Sequence, residues 1–337
     1  MHNLLIMLFH ISLILRYTQY EEEVMEPQTY EAHALVSQKI TETINEFIRS
    51  LDVARTSRTT YKTALRQFFV WLETSGHEKP DRHTILVYKD YLDAKGLRSF
   101  TKSSYLVAIR RFFAWAESMK LYPNIAKGIK GTRRSVQVHQ KNALTVKQLQ
   151  KLLHGIDCRM IDGKRDFALI NLLTRTGLRL IEVQRANIVD LEITDDEAVL
   201  WVRGKGRDDK DAFVVITEEV LEPIRSYLRA RKSISTSMPL FASLSDRNHG
   251  KRLTTHSLSR MIKQRLHFAG IKTRRITAHS LRHTFGVLAI QAGASLYEVQ
   301  LAMRHTTPTT TQVYLGDIEQ AKRQEGGPER KISKLLK

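Results

Sequence analysis

Between residues 31 and 120 apolar side chains recur at intervals of three and four, the spacing that puts them on one face of a helix. Tyr61, Leu65, Phe68 and Leu72 form the clearest stripe, and Leu106, Ile109, Phe113 and Ala116 form another. Four helices are predicted here. From Tyr122 to Ala143 the periodicity fades, which predicts an extended linker. Beyond it the pattern predicts helices near 145–156, 164–175 and 180–187. Short strands follow near 188–193, 198–203 and 211–216, the last two joined through Gly204-Lys205-Gly206-Arg207-Asp208. Further helices are predicted near 218–232, 254–268, 280–292 and 295–304, with another around Tyr314. The expected fold is mainly α with a small antiparallel β-sheet, divided into a four-helix domain and an α+β domain.

The first residues do not fit this scheme. Residues 4–15 (LLIMLFHISLIL) are the one long apolar run, but His10 and Ser12 interrupt it, and it is shorter than the roughly 18 residues that suggest a spanning helix. A signal peptide would begin with basic residues and end in small ones, and neither is present. Residues 1–30 are therefore an N-terminal extension, with translation starting at Met25 as an alternative. No membrane association is expected.

Composition adds the partner. The 337 residues carry 54 Lys+Arg against 35 Asp+Glu, a net charge of +19, and such an excess points to a polyanion, nucleic acid first. With 16 Gly and 7 Pro the chain is not collagen-like. Its one cysteine, Cys158, cannot form an intrachain disulfide, which suits a reducing cytoplasm. Lys102, Arg110 and Arg111 lie on the fourth helix. Lys127, Lys130, Arg133 and Arg134 crowd a linker that has no acidic residue. Such charges can simply solvate a helix face, yet on these elements they are candidates for DNA phosphate contacts.

The richest chemistry lies in residues 277–293 (TAHSLRHTFGVLAIQAG). Leu281, Phe285, Leu288 and Ala292 form the expected core stripe, and His279, Arg282, Gly286 and Ala289 share another face. There a His and an Arg can meet one ligand, and the small residues leave room for it, an arrangement suited to phosphate. His279 and His283 also have the i,i+4 spacing of a zinc pair, but no HExxH glutamate or third ligand accompanies them. A histidine hydrogen-bonded to backbone at a helix start is the bland reading. Elsewhere, Arg179 begins a helix with Glu182 three residues on, Lys205 sits at a strand–turn–strand tip, and Tyr314 lies nine residues past His305.

In this order, Arg179, Lys205, His279 with Arg282, His305 and Tyr314 resemble the active-site set of the tyrosine recombinase (phage integrase) family, most closely its compact Xer-like members. The upstream segments SRTTYKTALRQFFVWLE (57–73) and SSYLVAIRRFFAW (103–115) are similar to the family's core-binding helices. The chain departs from the pattern at Met303-Arg304-His305, where the family usually has Leu-Gly-His.

The resemblance implies a two-domain clamp. Residues 31–121 would be a SAM-like core-binding domain, 122–143 a basic linker, 144–325 the catalytic domain and 326–337 a tail exchanged with a neighbouring subunit. It also implies a site-specific DNA strand-transferase working through a 3′-phosphotyrosyl intermediate, with no metal and no cofactor. Tyr314 would be the nucleophile, Arg179, Arg282 and His305 the phosphate donors, His279 the base and Lys205 the acid. Glu182 would support Arg179. The implied partners are duplex DNA with a short inverted-repeat site and a homo-tetramer on two duplexes, with a second recombinase as a variant. A type IB topoisomerase-like enzyme and a catalytically silent DNA-binding regulator are the alternatives.

Overall fold

A computed structural model describes the chain from Pro27, apart from residues 78, 132–141, 196, 204–209, 211, 232–233, 274, 327 and 337; side chains of 27–37, 317, 319–326 and 328 are also not described. The N-terminal run 4–15 and the alternative start at Met25 lie outside the described residues. The chain divides into two compact units, residues 1–136 and 137–337. Among the described residues no helix is long and apolar enough to cross a membrane.

The first unit contains α1 (Pro27–Ser50), α2 (Arg55–Thr74), α3 (Arg82–Ala94) and α4 (Ser99–Ser118). The stripe on α2 is buried where it points inward: Leu65, Phe68 and Leu72 are in the core, joined by Phe47, Tyr88 and Phe112. The aromatic rings meet edge to face, Phe68 with Tyr88 at 5.0 Å and Phe47 with Phe112 at 5.5 Å, a geometry that favours their quadrupoles. At the start of α3, Asp81 accepts from the Thr84 N–H while Thr84 Oγ1 accepts from the Asp81 N–H.

Two expectations change in this unit. Residues 27–30, read as part of the extension, belong to the backbone of α1. The segment after α4 is not extended at its start. Ala126 and Ile129 are buried in the helical core, Tyr122 Oη donates to Pro80 O at 2.6 Å, and Arg82 donates to Lys127 O. Its apolar residues are too few to show a period, yet they are enough to fasten turns onto a core already formed.

The second unit contains α5 (Val146–His154), α6 (Ile161–Thr176), α7 (Leu180–Arg185), β1 (Leu191–Ile193), β2 (Ala198–Val202), β3 (Ala212–Val215), α8 (Glu218–Ala230), α9 (Thr255–Phe268), α10 (Ala278–Gln291), α11 (Leu296–Met303), α12 (Pro308–Gly326) and α13 (Pro328–Leu335). The sheet is antiparallel in the order β1-β2-β3, with Leu191 opposite Leu200 and Trp201 opposite Phe213. Along β2, Ala198, Leu200 and Val202 are buried and the residues between them are less so, the period-two pattern of a sheet with one covered face. The strand predicted from 188 begins only at Leu191. Ile188–Asp190 form a 3₁₀ turn, held by the Asn187 N–H donating to the buried Asp190 carboxylate at 2.8 Å.

α6 is buried nearly all round and packs against α8 and α10. Inside α8, Pro223 lacks the N–H that would bond Glu219 O, and the Asn171 side-chain amide of α6 donates to that carbonyl instead. α6 ends at Gly177 in the left-handed conformation, φ 62, where a Cβ would lie 2.4 Å from the Phe285 ring. That glycine lets the strand of chain leading to Arg179 pass close against α10.

Candidate active site

Arg179 is the N-cap of α7, and Glu182 in the first turn reaches back to it. Glu182 Oε2 accepts from the Arg179 N–H at 2.7 Å and Oε1 from Arg179 Nη1 at 3.0 Å. Arg304 Nη2 also donates to Glu182 Oε2, at 2.8 Å. Glu182 has no exposed surface. Burial pushes its carboxyl up, but the Arg304 charge and the hydrogen bonds from both arginines outweigh that and leave it below the usual carboxylate value.

Arg282 lies on the buried side of α10. Its Nη1 donates to Gly177 O and its Nη2 to Met303 O. Burial, and then the nearby Arg179, lower the guanidinium to about 10, so it is still charged at neutral pH. His305 follows the turn after α11, half-buried, with Nδ1 2.8 Å from Thr311 Oγ1. Burial lowers its imidazole to about 4, helped by Arg282, Arg179, Arg304 and His279, so the ring is neutral at pH 7.

Tyr314, on α12, is only 3% exposed. It packs with Val287, Val299, Met303 and Ile318. Its ring centroid is 4.8 Å from that of His283 and 6.1 Å from that of His305. A Cβ at Gly286 would lie 2.7 Å from the Tyr314 ring. The small-residue face of α10, expected to stand open to a ligand, is filled at Gly286 by this tyrosine.

The core stripe expected on α10 is also different. Leu281 is buried, but Phe285 and Leu288 are half-buried and Ala292 is exposed, while Arg282, His283, Thr284, Gly286 and Val287 are inside. Helices α6, α9, α11 and α12 all contact α10, so no single stripe defines its buried surface.

The structure thus gathers Arg179, Glu182, Arg282, His305 and Tyr314. His279 stands exposed in the first turn of α10, near enough to His305 to influence its charge. Lys205 lies outside the described residues. Sequence reading left out three neighbours: Arg304, noticed only as a departure; Thr311; and His283, weighed only as a metal ligand. Among the described residues no group of three His, Cys, Asp or Glu gathers as a metal site.

The basic candidates on the helical unit differ in availability. Lys102 is ion-paired with Asp93, and Arg110 Nη1 donates to Ile129 O at 3.3 Å. Arg111 is exposed with its guanidinium over the Tyr61 ring, and Lys127 and Lys130 are exposed. Arg133 and Arg134 lie outside the described residues.

Comparison with known proteins places this architecture. The model of the phage integrase family matches residues 142–320, and that of the phage integrase N-terminal SAM-like domain matches 44–120. Tyrosine recombinase XerD of Bifidobacterium longum is 29% identical over 277 residues, covering 78% of this chain and 87% of that protein. XerD of Staphylococcus aureus is 31% identical over 174 residues, 51% of this chain and 57% of that protein. Among solved structures, XerH site-specific recombinase bound to palindromic difH substrate has a TM-score of 0.68 at 22% identity, covering 96% of both chains. A lambda integrase dimer bound to a COC' core site has a TM-score of 0.63 at 13% identity, covering 90% of this chain and 84% of that one. At those identities the two structures speak for the fold.

With these matches, the mostly helical chain whose Arg179 and Arg282 gather beside a tyrosine falls in the class of DNA strand-exchange enzymes. This chain belongs to the phage integrase family, the site-specific tyrosine recombinases. These findings favour recombination over both the type IB topoisomerase-like reading and the silent regulator.

Proposed function

We propose that the chain cuts and rejoins duplex DNA through a 3′-phosphotyrosyl link on Tyr314. The observation that carries this reading is the placing of two guanidiniums, Arg179 and Arg282, against the turn that leads to His305 and Tyr314. A phosphodiester resists attack because it is negatively charged, and charge spreads over its oxygens in the transition state. Preorganised guanidinium donors are suited to stabilising it there. Arg179 and Arg282 take the phosphate oxygens in this reading, and His305, in the tautomer whose Nδ1 accepts from the Thr311 hydroxyl, offers Nε2–H as a further donor.

Tyr314 Oη attacks phosphorus and the P–O5′ bond breaks. His279 takes the tyrosine proton and Lys205 gives one to the departing 5′-oxygen. The link keeps the phosphodiester's free energy, so a 5′-hydroxyl from a partner strand can reverse the step with no cofactor. The Tyr314 ring packs against apolar side chains on one side and the His283 and His305 rings on the other, which fixes the nucleophile beside the arginine cluster in this reading.

In the same reading, residues 31–121 and the basic segment after them supply backbone contacts, with Arg111, Lys127 and Lys130 exposed among the candidate cations. Residues 144–325 carry the chemistry, and the two domains close as a clamp on a short inverted-repeat site. The tail 326–337 leaves Ile332 and Leu335 exposed on α13 and Leu336 just after it, an apolar turn suited to a neighbouring subunit in a homo-tetramer on two duplexes. The work is assigned to the cytoplasm.

The test is a duplex selected from a randomised pool for binding to the chain. Tyr314→Phe is expected to bind it as the unsubstituted chain does, yet give no covalent protein–DNA adduct on a denaturing gel. An undiminished adduct would remove Tyr314 from the nucleophile's role.

A further inference from the structure

We infer that Arg304 is a positioning residue for Arg179, holding the Arg179–Glu182 pair in the shape that receives a phosphate. The inference rests on the phosphate-binding role proposed for Arg179 and adds a residue to that site. Arg304 ends α11 with φ 54 and ψ 48, in the left-handed region. Glycine takes this conformation without steric cost, whereas a side chain with a Cβ is strained there and stays only where its surroundings over-determine it.

Three contacts do so. Arg304 Nη2 donates to Glu182 Oε2 at 2.8 Å, and its Nη1 donates to Ala302 O at 2.8 Å. Its own carbonyl accepts from Arg179 Nη2 at 3.0 Å. With Arg179 Nη1 bonded to Glu182 Oε1, a closed ring results: Arg179 to Glu182, Glu182 to the Arg304 side chain, and the Arg304 main chain back to Arg179. Turning the Arg179 guanidinium breaks the ring at one of two bonds. The preceding carbonyl, that of Met303, receives Arg282. One turn therefore fixes both arginines of the pocket.

The charge balance points the same way. A lone Glu182 carboxylate facing Arg179 would cancel much of its field. Shared between two guanidiniums, the carboxylate leaves one positive charge in excess, already in place before an anion arrives. Glu182 is buried and Arg304 mostly so, which limits screening by solvent.

The experiment measures single-turnover adduct formation on the selected duplex, together with thermal melting. Arg304→Gly suits the left-handed backbone. It is expected to melt no lower than the unsubstituted chain and to bind DNA within about twofold, yet to form adduct at least about tenfold more slowly. Arg304→Lys keeps the charge without the planar fork and should fall between the two. In a Glu182→Gln chain, Arg304→Gly should cost little more, because its route to Arg179 is already lost. Arg179→Ala is the control for the pocket itself and should form no adduct. Unchanged cleavage by Arg304→Gly, losses from the two changes that simply multiply, or a rate loss matched by a lower melting temperature would each overturn the inference. Undiminished cleavage by Arg179→Ala would overturn the pocket reading instead.

Discussion

At single residues, burial and charge compete, and the winner sets the protonation state of the pocket. Burial alone would favour a protonated Glu182, and the Arg304 charge with the hydrogen bonds of two arginines keeps it ionised. At His305 burial and the surrounding cations work together, and the ring stays neutral down to about pH 4 against an ordinary value of 6.5. The unfolded chain therefore takes up this proton more readily than the folded one. The stability linked to His305 is complete above pH 6.5 and is lost progressively as pH falls toward 4. His305→Asn removes that proton linkage. Its melting temperature should fall less over the same window, by roughly 2 °C, after allowance for partial exposure. Identical slopes for the two chains would show that His305 does not titrate in this way. The order and spacing of the six candidates carried the resemblance to the family, and the structure brings four of them, Arg179, Arg282, His305 and Tyr314, around one turn. Arg304 was not legible as a partner of Glu182. Its part depends on the sign of a backbone φ and on a contact across 122 positions of sequence, neither of which leaves a local pattern.

At the level of elements, the helices themselves were read well, and so was the buried face of α2, but the buried side of α10 was not. The α2 stripe projects directly into the helical core. α10 is enclosed by four helices, so its polar Arg282, His283 and Thr284 are buried while Ala292 of the expected stripe is exposed. The first turn of the strand predicted from 188 became a 3₁₀ turn, because Asn187 and Asp190 satisfy each other locally before β pairing begins. After α4, a few apolar residues without any period proved to be core. Ile129→Ala should therefore lower the stability of the helical unit by about 2–4 kcal/mol in denaturant unfolding, as for other buried aliphatic truncations. A change below about 0.5 kcal/mol is the surface-residue result and would place Ile129 outside that core.

For the whole molecule, the net charge of +19 indicates a polyanion but does not distinguish binding from catalysis. In the proposed reading Arg179 and Arg282, fixed on main-chain carbonyls, take one phosphate, whereas exposed cations such as Lys127 and Lys130 take many. The central claim is that DNA becomes covalently joined to Tyr314. The most direct measurement is mass spectrometry of the trapped adduct after proteolysis and nuclease digestion. The expected product is a nucleotide joined through its 3′-phosphate to the peptide containing Tyr314. A nucleotide on any other side chain, or joined through a 5′-phosphate, would contradict it.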